Sequence, residues 1–324
     1  MFAVPLAEKA LISRIRATSR TSTAVRTGIG DDCAVVRIPV GHEALVTTDF
    51  SLEGVHFRRE WHSPEVVGHR CLSRGLSDIA AMGGEPVAAF LSLAIPRRLP
   101  QTWIDRFMDG LLALAKQFHV PLAGGDTAQS PDGILADIVV LGSVPIGGAI
   151  LRSGARPGDL IYVTGELGGG AAALDRFFAG KRPKPEQYPR HFHPIPRIAV
   201  GRFLREHHLA TAMIDLSDGL STDLGHICDE SRVGAEILAD AVPRARVGPR
   251  EEAVDLKDAL HGGDDYELLF TASAREVVPS RIASVPITRI GRVTRNNKIE
   301  LIKEDRARSA FKPEGWEHFR ARSS

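Results

Sequence analysis

Short apolar runs rich in β-branched residues alternate with amphipathic stretches along almost all of the 324 residues, and this alternation restricts the fold more than any other feature. Apolar β-branched runs favour strands, whereas apolar residues that recur every three or four positions favour helices. Strands are predicted over residues 44–48, 87–95, 134–144, 160–164, 235–238, 268–271, 288–293 and 299–302. Helices are predicted over residues 64–82, from 102 to about 118, and after Gly219. The mixture predicts layered α/β or α+β domains.

A break in this pattern near residue 148 indicates two domains. The apolar strand 134–144 is followed by Pro145, Gly147 and Gly148, after which a new strand, glycine and helix pattern begins. A chain of this length usually forms two domains. We predict an N-terminal α/β domain over residues 1–148 and a C-terminal α+β domain over residues 149–324. Apolar residues between positions 6 and 15 recur at helical spacing, which predicts a docked amphipathic helix rather than a signal peptide.

Charge and cysteine content exclude several classes of protein. Lysine and arginine total 41 against 40 aspartates and glutamates, so the basic excess of a nucleic-acid-binding protein is missing. The three cysteines are far apart and form no C-x-x-C pair, which argues against a disulfide framework or a zinc site and favours a reducing, cytoplasmic setting. No run reaches the roughly 18 uncharged apolar residues of a membrane helix. We therefore expect neither nucleic acid nor a membrane as a partner.

The common motifs of nucleotide and nucleophile chemistry are absent from the sequence. It contains no G-x-x-x-x-G-K-[ST] phosphate loop, no H-E-x-x-H zinc motif and no G-x-S-x-G nucleophile elbow. Gly28-Ile29-Gly30 resembles the opening of a dinucleotide-binding loop, but Cys33 stands in place of its third glycine. Any nucleotide chemistry must therefore rest on other residues.

Aspartates at the ends of apolar runs, nearly all beside glycine or a hydroxyl residue, form the strongest functional pattern. They are Asp31, Asp32, Asp49, Asp78, Asp126, Asp215, Asp218, Asp264 and Asp265. Each one alone is compatible with a turn or a helix cap. Asp78, however, falls on the apolar face of a predicted helix, where a carboxylate is costly unless a cation or a strong donor meets it. Asp49 and Asp215 directly follow strand-like sequence that carries no turn signal.

Carboxylates beside hydroxyls are the hard oxygen ligands that Mg²⁺ prefers. So large a set exceeds what one ion requires and predicts several magnesium ions. Such ions suit a phosphoryl transfer between two anions, because two unit charges about 4 Å apart repel by roughly 4 kcal/mol at an effective dielectric constant near 20. Metal ions relieve this repulsion and align donor with acceptor, so no protein nucleophile is required. The aspartates thus predict ATP-dependent phosphoryl transfer.

Three further segments carry open alternatives. Glycine-rich turns are predicted at Gly124-Gly125 and within residues 165–170, and each could place backbone N–H groups against phosphates, although a tight connection with close packing is slightly favoured for the second. Arg152 suits a phosphate tail or is an ordinary surface arginine. The proline-rich stretch 180–197 is predicted to be a solvated surface loop, and phosphate binding by its basic residues 181, 182 and 184 is the less favoured alternative.

Seven segments resemble, in this order, the successive motifs of the thiamine-monophosphate kinase family. They are GIGDDCAVV, TTDFSLEGVHF, GLSDIAAMGG, LAGGDT, LRSGARPGD, IDLSDGLSTDLGHI and GGDDYELLFT, and EGWEHF resembles the closing aromatic segment of the family. The resemblance implies an enzyme that converts ATP and thiamine monophosphate into ADP and thiamine diphosphate by direct transfer. It also implies the fold of the aminoimidazole ribonucleotide synthetase superfamily, in which the N-terminal domain dimerises and the C-terminal α+β domain closes the active site.

The resemblance also implies roles for individual residues. The implied magnesium ligands are Asp32, Thr47, Thr48, Asp49, Asp78, Asp126, Asp215 and Asp218. The implied ATP contacts are Gly125, Asp126, Arg152 and Ser217. The implied contacts to the thiamine phosphate are His56, Asp264 and Trp316. A hydrogen-bonded loop residue is the alternative for His56 and an anchor of the C-terminal tail the alternative for Trp316, while Asp264 stands where some members have glutamate.

Two other functions stay open at this point. Another enzyme of the superfamily, such as an aminoimidazole ribonucleotide synthetase, would use ATP on a different acceptor; His56-Phe57 and the GGDDYEL segment favour the kinase. A non-catalytic subunit that binds metal and nucleotide is disfavoured by the size of the carboxylate set. The strands 87–95 and 134–144 are too uniformly apolar for a solvent-facing sheet, so a homodimer through the N-terminal domain is predicted.

Overall fold

The chain forms two compact units in a computed structural model, in which residues 6–19 and 22–316 are described. The first unit comprises Met1–Ile79 and Gly84–Gly148, and the second comprises Ala80–Gly83 and Ala149–Ser324. Among the described residues, no helix is both long and apolar enough to cross a membrane.

The first unit is built around a four-stranded sheet. Its elements are α1 (Glu8–Thr18), β1 (Val25–Thr27), β2 (Val35–Val36), β3 (His42–Leu52), α2 (Pro64–Ala81), β4 (Glu85–Pro96), α3 (Gln101–Gln117), β5 (Leu122–Ser130) and β6 (Leu135–Pro145). The strand order is β3-β6-β4-β5, in which only β4 and β5 are parallel, and β1 and β2 form a separate hairpin.

Helices α2 and α3 cover one face of this sheet. Helix α2 lies directly on β6, since a side chain at Gly75 would come within 2.6 Å of the Val140 side chain. At Gly68 and Gly110 the two helices touch backbone to backbone, and any side chain there would collide with a carbonyl group of the other helix. The core between helices and sheet includes the fully buried Leu72, Leu76, Ile79, Ile104, Phe107, Leu111 and Ile138.

The opposite face of the sheet is open along β3. Successive side chains of a strand point to opposite faces, so Val46, Thr48 and Phe50 share this face. Val46 is 69% exposed and Phe50 is 55% exposed. Elsewhere on the sheet, the β1–β2 hairpin covers Ala88 of β4, against which Val25 packs. The uncovered apolar surface is therefore concentrated on one edge strand.

The second unit contains a larger sheet. Its elements are β7 (Leu160–Thr164), α4 (Gly169–Phe178), α5 (Pro189–Phe192), α6 (Ile198–Glu206), β8 (Ala210–Asp215), α7 (Leu220–Ser231), β9 (Gly234–Leu238), β10 (Arg246–Val247), β11 (Glu252–Ala253), α8 (Leu256–His261), β12 (Leu268–Ala272), β13 (Arg281–Ile282), β14 (Val285–Thr294), β15 (Ile299–Ile302) and β16 (Arg308–Ala310), with a short 3₁₀ turn at Ala239–Ala241.

The main strand order of this sheet is β16-β15-β9-β14-β7-β12-β8, with β13 paired to β14. Only β9 and β15 run parallel among the neighbours in this order. One core joins the sheet to the inward face of α7 and to α8, and it includes Ile161, Val163, Leu220, Leu224, Ile227, Ala259, Leu260 and Leu269.

The mixed α/β fold is confirmed, and the eight predicted strands are present as β3, β4, β6, β7, β9, β12, β14 and β15. The predicted helices correspond to α2, α3 and α7. The docking of α1 is also confirmed, because Arg14 donates two hydrogen bonds to the carboxylate of Asp105 in α3, at 2.6 and 2.8 Å. Residues 1–5, which precede the apolar positions of that helix, lie outside the described residues. Strands β5 and β8 were not predicted.

Candidate active site

Thr47 and Asp78 meet on the helix-covered face of the first sheet. Thr47 lies in β3 and Asp78 in α2, and the threonine hydroxyl donates a hydrogen bond to Oδ2 of Asp78. The sequence required a cation or a strong donor for a carboxylate on this apolar helix face, and the hydroxyl is such a donor. Two of the predicted magnesium ligands are therefore adjacent.

Asp49 lies on the same face of β3, beside an arginine of α2. Its Oδ1 is 3.4 Å from Nη1 of Arg74, which is the long end of a hydrogen bond. The Arg74 side chain is only 9% exposed, so a largely buried positive charge is held next to the Asp49 carboxylate. The expectation that Asp49 ends a strand is wrong, because β3 stays paired with β6 as far as Leu52.

Thr48 points to the opposite, open face of the sheet. Its hydroxyl donates a hydrogen bond of 2.6 Å to Oδ1 of Asp137 in β6. The structure thus separates Thr48 from Thr47, although both were predicted to bind metal. Asp137 was missed by sequence reasoning; the signal was a single carboxylate in the otherwise apolar run of β6.

Gly125 and Asp126 lie within β5, and the predicted glycine-rich turn at this position is wrong. Gly125 pairs with Leu91 of the parallel strand β4 and has a φ of +146°. A side chain at Gly125 would collide with the carbonyl oxygen of Leu91, so the close pairing of the two strands requires glycine. Asp126 is exposed and accepts a hydrogen bond of 2.8 Å from the backbone N–H of Thr127.

Asp32 and His56 lie in loops of the first unit. Asp32 is exposed, and its backbone N–H donates to the Asp31 carboxylate at 2.9 Å. Nδ1 of His56 accepts a hydrogen bond of 3.0 Å from the backbone N–H of Leu52, which places the proton of the neutral ring on Nε2. His56 is thus a hydrogen-bonded loop residue with a defined tautomer, and its contact with substrate stays a prediction.

In the second unit, carboxylates gather between the end of β8 and the start of α7. Asp215 is the last residue of β8, and Oδ2 of Asp223 accepts hydrogen bonds from the N–H groups of Asp218 and Gly219, at 3.1 and 3.0 Å. Asp223 is 1% exposed. Burial, followed by repulsion from Asp215 and Asp218, raises the pKa of Asp223 well above its usual value. A cation would relieve such an excess of negative charge.

Sequence reasoning missed two members of this cluster. Oxygen or nitrogen atoms of Asp218, Asp223 and His226 lie within 4.8 Å of one another, close enough for one ion. The available signal was the spacing of Asp223 and His226, since residues three apart share a face of a helix.

Two other segments bring Asp264 and Trp316 to the residues just before α7. The backbone N–H of Asp264 donates to the carbonyl of Ser217 at 2.8 Å, and that of Trp316 donates to the carbonyl of Asp218 at 3.0 Å. The Asp264 carboxylate accepts a hydrogen bond of 2.6 Å from the Tyr266 hydroxyl. Four predicted site residues from three separate segments are therefore neighbours. The residues of EGWEHF after Trp316 lie outside the described part of the chain.

The glycine-rich turn before α4 is closed by a carboxylate. Asp265, which is buried, accepts a hydrogen bond of 2.8 Å from the N–H of Gly168 at the start of the helix. A side chain at Gly170 would come within 2.8 Å of the carbonyl of Gly263. Burial raises the pKa of Asp265 to about 7. The tight connection is thus confirmed, and the phosphate alternative is disfavoured because a carboxylate already occupies the anion position.

Glu267 forms a buried ion network behind this loop. Its carboxylate accepts hydrogen bonds from Arg190, from Arg197 at 2.5 and 2.7 Å, and from the hydroxyl of Thr164 at 2.5 Å. Burial, and then repulsion from Arg190, lowers the pKa of Arg197 to about 9. The expectation that 180–197 is only a solvated loop is wrong for its second half, because Arg190 and Arg197 turn into the unit to meet Glu267.

Arg152 lies on a turn that runs beside β8. The preceding carbonyl, that of Leu151, accepts a hydrogen bond of 3.0 Å from Met213. The Ser231 hydroxyl, at the far end of α7, donates to the carbonyl of Arg152 at 3.0 Å. Ser217, the other predicted side-chain contact to ATP in this unit, lies before the opposite end of α7. Both contacts stay predictions.

Comparison with known proteins decides the family. A family model for "AIR synthase related protein, N-terminal domain" matches residues 30–144, and one for "AIR synthase related protein, C-terminal domain" matches residues 156–304. The thiamine-monophosphate kinase of Bacillus subtilis (strain 168) is 36% identical over 321 residues, with 96% of this chain and 98% of the relative covered. The chain belongs to the thiamine-monophosphate kinase family.

Solved structures agree with this membership of the thiamine-monophosphate kinase family. The family member from Stenotrophomonas maltophilia K279a has a TM-score of 0.78 and 36% identity, with 93% of this chain and 98% of the other covered. AaThiL, solved in complex with AMPPCP and TMP, has a TM-score of 0.76 and 32% identity, with 97% of each chain covered. The resemblance seen in the motifs is thereby confirmed.

Proposed function

We propose that this chain transfers the terminal phosphoryl group of ATP to thiamine monophosphate, giving ADP and thiamine diphosphate. The observation that carries the proposal is the likeness, over 97% of both chains, to AaThiL, whose structure holds AMPPCP and TMP. The clustering of Ser217, Asp218, Asp264 and Trp316 supports it, because residues assigned to the two substrates then share one loop region.

We further propose that magnesium ions bind at the carboxylates of this chain. The donors are hard oxygens: Thr47 and Asp78 in the first unit, and Asp215, Asp218 and Asp223 in the second. Asp223 is buried, and repulsion from Asp215 and Asp218 adds to burial in raising its pKa, which supports a cation at this position. When bound, magnesium neutralises phosphate oxygens and aligns donor with acceptor.

The chain's own side chains orient these groups. The hydroxyl of Thr47 donates a hydrogen bond to Oδ2 of Asp78. This contact fixes the orientation of the whole carboxylate, including Oδ1. Arg74 lies beside Asp49 and offsets the negative charge of that carboxylate. In the second unit, two backbone N–H groups hold Asp223 at the start of α7. These contacts position the ligands before any substrate arrives.

The decisive experiment follows label from the terminal phosphate of ATP into thiamine diphosphate with purified protein. We expect magnesium-dependent transfer to thiamine monophosphate and very poor transfer to free thiamine, because a neutral hydroxyl offers neither charge nor a metal ligand. Absence of labelled thiamine diphosphate, or equal labelling of thiamine and thiamine monophosphate, contradicts the proposal.

Charge-removing variants test the metal ligands. Asp78→Asn and Asp126→Asn keep side-chain size but lose the charge, so each should lose most of its turnover while remaining folded. Asp109→Asn, an exposed aspartate of α3, is the matched control and should keep full activity. Near-normal turnover of Asp78→Asn or Asp126→Asn at saturating magnesium would remove that residue from the metal site.

A further inference from the structure

The segment 311–316 is held against the start of α7 by three consecutive backbone N–H groups. That of Glu314 donates to the Ser221 hydroxyl at 3.3 Å, and that of Gly315 donates to the Thr222 hydroxyl at 3.2 Å. The third, that of Trp316, donates to the carbonyl of Asp218 at 3.0 Å. Such a ladder fixes the backbone of the segment up to the tryptophan itself.

Gly315 allows this approach. A side chain at Gly315 would collide with the carbonyl oxygen of Asp218 and come within 2.6 Å of the Thr222 hydroxyl. Gly315 does not have a positive φ among the described residues, so the requirement is for space rather than for an unusual backbone conformation. The fit of the segment to α7 therefore depends on this one missing side chain.

The hydroxyl acceptors are themselves held in place. Ser221 is fully buried, and its hydroxyl lies 2.9 Å from Nδ1 of His261 at the end of α8. At the other end of the segment, Phe311 is 4% exposed and packs near the His261 ring, with the ring centroids 5.7 Å apart. The Trp316 side chain, by contrast, is 49% exposed. An anchored backbone thus carries a partly open indole ring.

We propose that Ser221, Thr222 and Gly315 are positioning residues that hold the backbone of Trp316 beside Asp218, and that they thereby set the affinity for the thiamine end of the acceptor. This inference rests on the proposed function. Ordering a flexible segment on binding costs conformational entropy. Because the hydrogen bonds to α7 order the segment before the substrate binds, the aromatic surface is preorganised and binding does not have to supply that ordering. Loss of the docking should weaken acceptor binding and leave the transfer step nearly unchanged.

Thr222 offers the cleanest test. Thr222→Val keeps the shape but removes the acceptor for the Gly315 N–H, whereas Thr222→Ser keeps the acceptor. Loss of one such hydrogen bond is worth roughly fivefold. We expect Thr222→Val to raise the KM for thiamine monophosphate about fivefold, with kcat and the KM for ATP changed less than twofold. Thr222→Ser should behave as the unmodified protein does.

Gly315→Ala provides a second variant that leaves α7 itself unaltered. It should raise the same KM more strongly, by about tenfold or more, since an added methyl group blocks the whole ladder rather than one bond. Hydrogen exchange at the amides of residues 314–316, followed by mass spectrometry, measures the docking without any substrate. We expect clear protection in the unmodified protein and its loss in Gly315→Ala.

The outcomes separate this inference from the proposed function. If the protein phosphorylates thiamine monophosphate but Thr222→Val and Gly315→Ala leave its KM unchanged, the positioning role is wrong and the function stands. Retained amide protection in Gly315→Ala also overturns the role. If the unmodified protein shows protected amides but no transfer to thiamine monophosphate, the function fails, and with it the assignment of the anchored ring to that acceptor.

Discussion

Glu267 accepts hydrogen bonds from Thr164, Arg190 and Arg197 at a position with no solvent exposure. Removing one partner of a buried ion pair typically costs about 3–5 kcal/mol, because the opposite charge stays buried without compensation. We expect Glu267→Gln to lower the free energy of unfolding by about 3 kcal/mol, measured by urea denaturation.

Glu236→Gln is the matched control for that substitution. The Glu236 side chain is also only 9% exposed, but its partners Arg292 and Arg308 are 58% and 50% exposed and can be solvated by water. Loss of such a pair costs at most about 1 kcal/mol. Equal destabilisation by the two variants would show that burial of the arginine partners does not determine how much free energy of unfolding is lost with the ion pair.

The raised pKa of Asp265 should make the free energy of unfolding depend on pH. Its pKa is raised to about 7 by burial, so the folded state favours the protonated form. The stability that it contributes is fully present below about pH 4 and is lost as the pH rises to about 7. A shift of about three units at about 1.4 kcal/mol each sets an upper limit near 4 kcal/mol.

Asp265→Asn should remove this slope, because the amide does not titrate. Urea unfolding at pH 5 and pH 8 gives the free energy of unfolding of the variant and of the unmodified protein. The difference between the two proteins at each pH cancels the contribution of the other titrating groups. We expect that difference to shift in favour of the variant by about 2–3 kcal/mol between the two pH values, since about two pKa units separate pH 5 from the folded-state value. A constant difference would mean that Asp265 is ionised throughout this range.

Helix α7 engages separate parts of the chain at its two ends. At its C-terminal end, the Ser231 hydroxyl accepts hydrogen bonds from the N–H groups of Gly154 and Ala155, both at 3.1 Å, and donates to the carbonyl of Arg152. This hydroxyl therefore holds the turn on which the proposed ATP contact stands. The N-terminal end meets the segment that carries Trp316.

Ser231→Ala should therefore affect ATP rather than thiamine monophosphate. Loss of these hydrogen bonds loosens the turn, and we expect the KM for ATP to rise roughly fivefold with kcat changed little. Steady-state rates with ATP varied at saturating acceptor test this, and Ser231→Thr, which keeps the hydroxyl, is the control. A selective rise in the KM for thiamine monophosphate would contradict the assignment of Arg152 to ATP.

Elements with strong local patterns were predictable, and those defined by their neighbours were not. The strand Leu160–Thr164 and the helix after Gly219 follow directly from apolar periodicity. Strand β5 did not, because Gly124 and Gly125 normally indicate a turn and become strand only through parallel pairing with β4. Its glycines serve close backbone approach, which local sequence cannot distinguish from a turn.

The candidate site shows the same division. The aspartates could be found from their position at the ends of apolar runs and beside glycine or hydroxyl residues, and the family motifs supplied their order. Their partners could not be found: the contacts of Thr47 with Asp78 and of Thr48 with Asp137 join residues far apart in sequence. The alternation of β3 alone indicates that Thr47 and Thr48 face opposite sides.

The open face of the first sheet bears on whether the chain forms a dimer. The sequence placed the unbalanced apolar surface on strands 87–95 and 134–144, whereas in the structure the exposed apolar side chains Val46 and Phe50 lie on the edge strand β3. An edge strand with uncovered apolar residues favours association. A homodimer through this unit therefore stays our prediction, now with β3 at its centre.

Light scattering at micromolar concentration measures this association. We expect twice the chain mass for the unmodified protein and a large monomer fraction for Phe50→Lys, since a charge on this face opposes its burial. Phe178→Lys is the control, because Phe178 is 69% exposed in the second unit and should not affect mass. A monomer mass for the unmodified protein would refute the prediction.

Strand β7 lies in the middle of the second sheet, and both strands with which it pairs come much later in the sequence. Its two neighbours, β12 and β14, both follow it by roughly a hundred residues or more. Pairings of such long range delay folding, because the chain loses the entropy of a large loop before it gains any contact. During synthesis this apolar strand leaves the ribosome well before either neighbour exists. Unpaired strands of this kind are prone to wrong association, so the second unit is exposed to misassembly until β12 and β14 have been made.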